Sequence, residues 1–119
     1  MTTATRRFAC RPTEVRAARA LVRETLDGHD AELIDAAELM TSELVSNCVR
    51  HAQTDFEVRI SAQDEVRVEV RDSGEGKPRV LSPSARETTG RGLRIVEAMS
   101  RQWGVIEQPA GKVVWFTIS

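Results

Sequence analysis

FEVRISAQDEVRVEVRDSGEG, residues Phe56 to Gly76, alternates apolar and polar side chains in two short runs. Phe56, Val58 and Ile60 share one parity, and Val66, Val68 and Val70 share it again beyond the polar pair Gln63 and Asp64. Period-two alternation sends one set of side chains to one face of an extended strand, so the stretch predicts a hairpin with one buried face. Asp72 keeps the parity of the valines, which aims its carboxylate at the apolar side where the strand ends. An inward carboxylate needs a partner. Two are open: the following backbone, since Asp-Ser-Gly suits a local turn, or a ligand that offers an N–H donor inside a partly apolar pocket, with Gly74 and Gly76 clearing space for a flat ring.

Working towards the N-terminus, Leu33, Ala37, Met40, Leu44 and Cys48 recur at helical spacing behind Asp30, which suits a helix cap with Glu32 in the first turn. An earlier helix is capped by Thr13, carries Val15, Ala18, Leu21, Val22 and Leu26 on one face, and stops at Gly28. Thr5 to Arg11 reads as a first strand closed by Pro12. Towards the C-terminus, a loop-rich segment from Ser73 to Gly90 precedes a helix from about Gly92 to Arg101, with Leu93, Ile95, Val96 and Met99 inward. Strands Trp103 to Glu107 and Lys112 to Ile118 flank a turn at Pro109 to Gly111.

Neighbouring strands in this order join by short turns rather than by crossover helices, which defines an α+β class. The expected architecture is a two-layer α/β sandwich, a mixed and mostly antiparallel sheet with helices on one face.

Composition narrows the function classes. The 119 residues, with 40% hydrophobic and 29% charged side chains, suit one domain spanning 1–119. A net charge of -1 argues against direct nucleic-acid binding, which normally shows as a strong Lys and Arg excess. Cys10 and Cys48 lack metal-ligand or disulfide spacing and read as reduced thiols. No apolar run approaches the roughly 20 residues of a membrane span, so a cytoplasmic location is expected.

On the second helix Glu43 and Asn47 are one turn apart and point the same way, at the margin of the apolar stripe, where a carboxylate and an amide can face a cleft or simply meet solvent. His51 extends the row, either as a contact to the loop-rich segment or a partner, or as a packed or solvated structural histidine. In TTGRGLRIV, residues 88–96, Gly90 and Gly92 lead into a helix whose bare amides can face an anion, with Thr88 and Thr89 adding hydroxyls and Arg86 and Arg91 adding charge. A flexible helix start is the plainer alternative. The glycines do not form a dinucleotide fingerprint, and phosphate-loop, zinc-protease and serine-hydrolase motifs are missing from the sequence.

Taken in order, ELVSN (43–47), DSGEG (72–76) and TGRGL (89–93) resemble the N, G1 and G2 boxes of the GHKL ATPase superfamily, and the short layout is similar to bacterial anti-sigma-factor serine protein kinases. The resemblance implies ATP and Mg²⁺ as ligands. It makes Asn47 the magnesium ligand, Glu43 the catalytic base, Asp72 the acceptor for the adenine amino group, and Gly74 and Gly76 the floor beneath the base. Gly90 and Gly92 would bind phosphates within a TTGRGL segment that includes Thr88, Thr89, Arg91 and Leu93, and residues 73–91 would form a lid. It further implies phosphorylation of a serine on a small antagonist protein, sequestration of a sigma factor, and possible homodimerisation through the first strand. A non-catalytic ATP-gated binding module is the alternative. A histidine-kinase catalytic fragment ranks third, since His29 and His51 lack the helical-hairpin context of a phosphoacceptor.

Overall fold

The computed structural model describes residues 2–72 and 93–119. The element order is β1 (Thr2–Phe8), α1 (Thr13–Thr25), α2 (Ala31–Asn47), a π-helical turn (Cys48–Ala52), β2 (Phe56–Ala62) and β3 (Val66–Asp72). Residues 93–99 are helical, and β4 (Gln102–Gln108) and β5 (Gly111–Ile118) close the chain.

The hairpin has the register that its alternation demands. Phe56 pairs with Asp72, Val58 with Val70, Ile60 with Val68 and Ala62 with Val66. The five strands run in the order β1-β2-β3-β5-β4, and each of the four pairings is antiparallel, so among the described residues the sheet is not mixed. β5 lies between β3 and β4, so the last hairpin joins the sheet through its second strand.

One face of this sheet and the two long helices make the core. Val22, Leu26, Ala37, Met40 and Val45 meet Val58, Val68 and Phe116, all with 0% exposure. α1 packs on β1 and β2, and α2 packs on β3 and β5. Outside the core the helices are tied by Arg23, whose Nε donates to Glu38 at 3.0 Å and whose NH2 donates to Asp35 at 3.0 Å. No described helix is long and apolar enough to cross a membrane.

The opposite sheet face is sheltered by its own side chains. The Arg67 guanidinium lies 4.2 Å from the Trp115 ring centroid and donates to Glu69 at 2.9 Å. Thr117, directly across from Arg67, is buried. Gly104 stands opposite Trp115, and a Cβ there would come within 2.8 Å of the indole nitrogen. Its lack of a side chain leaves room for the ring.

Several boundaries differ from expectation. β1 occupies Thr2–Phe8 rather than Thr5–Arg11, because the chain turns at once after Phe8: Arg11 N donates to Ala9 O, and Cys10 N donates to the Asp55 carboxylate at 3.1 Å. Pro12, not Thr13, occupies the cap position of α1, with its fixed φ of -56° already helical. Asp30 does precede α2, without a side-chain capping bond. Met99 is exposed rather than inward, since the last helical turn ends there while Val96 fills the core contact.

Candidate functional site

α2 brings Glu43 and Asn47 to one side of the sandwich. Both are half-buried, next to the fully packed stripe formed by Met40, Thr41, Leu44 and Val45. The helix changes character immediately after Asn47. Cys48–Ala52 form a π turn, closed by Gln53 in the left-handed conformation (φ 54°) donating to Cys48 O at 2.8 Å. A widened turn displaces His51 from the simple row that α-helical spacing predicts for Glu43, Asn47 and His51. Its Nε2 is buried and has no hydrogen-bond partner among the described residues.

The π turn is held from the side by the segment after β1. Cys10 Sγ donates to Val49 O at 3.7 Å, and the Cys10 amide reaches Asp55 just before β2. Neither cysteine forms a disulfide; Cys48 is buried in the core, whereas Cys10 is only half-buried. These contacts fix the route of the chain from Asn47 into β2.

That route places Asn47 and Asp72 at the same end of the sandwich. The π turn feeds Phe56, the first residue of β2, and Phe56 is the cross-strand partner of Asp72, the last residue of β3. Asp72 is 2% exposed. Its Oδ1 accepts a hydrogen bond from the Lys112 amide at 3.3 Å. A side chain at Gly111 would put its Cβ 2.3 Å from the Asp72 carbonyl oxygen and 2.8 Å from Oδ1, at a φ of +137°. The β4–β5 turn therefore rests directly on the carboxylate.

Gly111 and Lys112 escaped the sequence reading because an Ala-Gly-Lys turn looks ordinary. The only signal was register: once β3 and β5 are neighbours, position 112 falls opposite position 72.

Leu93 begins the described part of the last helix and packs, half-buried, against the core. The proposed lid and Gly74, Gly76, Thr88, Thr89, Gly90, Arg91 and Gly92 lie outside the described residues.

An antiparallel sheet roofed on one side by two helices, with Asn47 at the end of one helix and the buried Asp72 at the end of β3, is an α/β sandwich of the histidine-kinase type. The chain belongs to the histidine kinase-like ATPase domain family, whose model matches residues 8–118, and with that family comes ATP as the ligand class. Among solved structures it is similar to the RsbU and RsbW domains of Rv1364c from Mycobacterium tuberculosis, with a TM-score of 0.78 and 21% identity. That match covers 99% of this chain and 32% of the other, so the likeness is one of fold over about a third of a longer protein.

Proposed function

We propose that this chain is a cytoplasmic Mg-ATP-dependent regulatory kinase, which phosphorylates a serine on a small antagonist protein and holds a sigma factor when that antagonist is not available. The reading is supported by the path of the chain from Asn47, at the end of α2, through the π turn to Phe56, the cross-strand partner of the buried Asp72, in a family of histidine kinase-like ATPase domains. Likeness to a fold that includes an RsbW domain supports the regulatory part.

The residues suit the ligands. Asp72 is a buried acceptor, complementary to the adenine 6-amino donor and mismatched to the guanine carbonyl, so a wrong base leaves a desolvated carboxylate facing an acceptor. Asn47 offers a neutral amide oxygen of the kind that hard cations accept, and would be the residue to hold Mg²⁺. Bound Mg²⁺ supplies neutralisation of the triphosphate charge. Glu43 takes the proton from the attacking serine hydroxyl as its oxygen forms the new bond to the γ-phosphorus, and the bond to the departing ADP oxygen breaks. The roles that the resemblance gives to Gly74, Gly76, Thr88, Thr89, Gly90, Arg91 and Gly92 fall on residues outside those described, while Leu93 packs against the core.

Phosphate-labelled ATP with magnesium and a small antagonist protein should label a serine on that antagonist, and Glu43→Ala should abolish transfer while leaving ATP binding in place. Partner control that survives Glu43→Ala but is lost in Asp72→Asn would favour a nucleotide-gated module without catalysis. Acid-labile phosphate on the protein itself would favour the histidine-kinase reading. β1 is an edge strand of the sheet, which supports homodimerisation by strand pairing; sedimentation across a concentration series tests it.

A further inference from the structure

The geometry points to the β4–β5 turn, through Gly111 and the backbone amide of Lys112, as the device that positions the Asp72 carboxylate and so sets base selectivity. This rests on the ATP-site reading above and deepens it. Gly111 is a positioning residue that acts through Asp72.

Three observations converge on it. Asp72 is the last residue of β3 and is buried, so the direction of its carboxylate is fixed by what touches it rather than by solvent. On one side stands Phe56, 1% exposed and its direct cross-strand partner. On the other side the β3–β5 ladder ends at the pair Arg71 with Val113, and one residue further on the Lys112 amide donates to the Asp72 side chain at 3.3 Å. A strand N–H has been diverted to hold a carboxylate oxygen.

Gly111 is what allows this approach. Its φ of +137° is strained for any L side chain. A Cβ would also stand 2.3 Å from Asp72 O and 2.8 Å from Oδ1, and the first of these neighbours is backbone that cannot swing aside. An added methyl must displace either the turn or the carboxylate, and with the turn goes the Lys112 donor. A displaced carboxylate loses its alignment with an adenine amino group while phosphate and metal contacts elsewhere on the chain are untouched.

Gly28 supplies the control. It also has positive φ, at +95°, yet nothing lies within 4 Å of its Cβ position. Gly28→Ala therefore introduces backbone strain with no contact to the site.

The test compares ATP with purine riboside 5′-triphosphate, which lacks the 6-amino group, by calorimetric titration of wild type, Gly28→Ala and Gly111→Ala. Wild type is expected to favour ATP by on the order of tenfold or more. Gly28→Ala should keep that ratio, and Gly111→Ala should bring it close to one by weakening ATP alone. Equal weakening of both nucleotides in Gly111→Ala, or an unchanged ratio, overturns the inference. If wild type binds neither nucleotide, it is the ATP-site reading that fails.

Should Gly111→Ala not fold, the wild type still decides: the Lys112 amide resonance should move on binding ATP and move much less with the 6-amino-lacking analogue. Equal movement with both nucleotides, or none with either while both bind, overturns the inference.

Discussion

Phe8 stacks on Phe56 with ring centroids 5.3 Å apart and planes 16° from parallel. The pair joins the end of edge strand β1 to the start of β2, where Phe56 is also the cross-strand partner of Asp72. Both rings are buried. Removing one leaves a cavity as well as losing its transfer energy, so Phe8→Ala should cost about 3 kcal/mol. Urea denaturation with an unchanged slope and a lower midpoint is the expected result; an unmoved midpoint would mean that the pair is not part of the cooperative core.

Thr41 presents the opposite case. It is fully buried on the core stripe of α2, and its hydroxyl has no hydrogen-bond partner among the described residues. Valine has the same shape without the desolvated oxygen. Thr41→Val should therefore raise stability by about 1 kcal/mol, seen as a higher melting temperature with secondary structure unaltered. A loss would show that the hydroxyl finds a partner in solution.

Gly104 makes room for the Trp115 indole on the outer sheet face. A methyl at this position would meet three ring atoms at 2.8–2.9 Å, and a rigid ring pinned under Arg67 has little freedom to yield. Gly104→Ala should cost about 1–3 kcal/mol from overpacking and should shift the tryptophan emission. Wild-type stability together with wild-type emission would contradict this contact.

Asn47 and Asp72 should separate metal from base. Calorimetry of Asn47→Ala should show ATP affinity that no longer responds to magnesium. Asp72→Asn keeps an acceptor for the Lys112 amide yet turns a donor towards the adenine amino group, so ATP should bind at least about tenfold more weakly, with thermal stability of the free protein little changed. Retained magnesium dependence in the first variant would remove Asn47 from the metal site.

The hairpin was legible because β2 and β3 are inner strands with one buried face, where a slip of one residue would turn every valine outward. The same logic located Asp72 on the core side and Glu43 with Asn47 at the edge of a helical stripe. β1 was harder: as an edge strand of mostly exposed threonines and arginines, it carries no alternation to mark its start. The π turn after Asn47 was invisible because its extra residue is stabilised by Cys10 and the path into β2, contacts that join positions about 40 residues apart. Gly111 showed the same limit. Its meaning depends on which strand lies beside it, a fact that local sequence does not contain.

The uncovered side of the sheet bears on how this protein can be altered. Arg67 is nominally a surface cation, the kind of residue exchanged freely to tune solubility, but its hydrocarbon stem and guanidinium are a roof over an indole. Trading it for an acidic residue would strip that shelter and turn a water-tolerant wall into an adhesive one. Charge engineering of this molecule must therefore leave Arg67 in place.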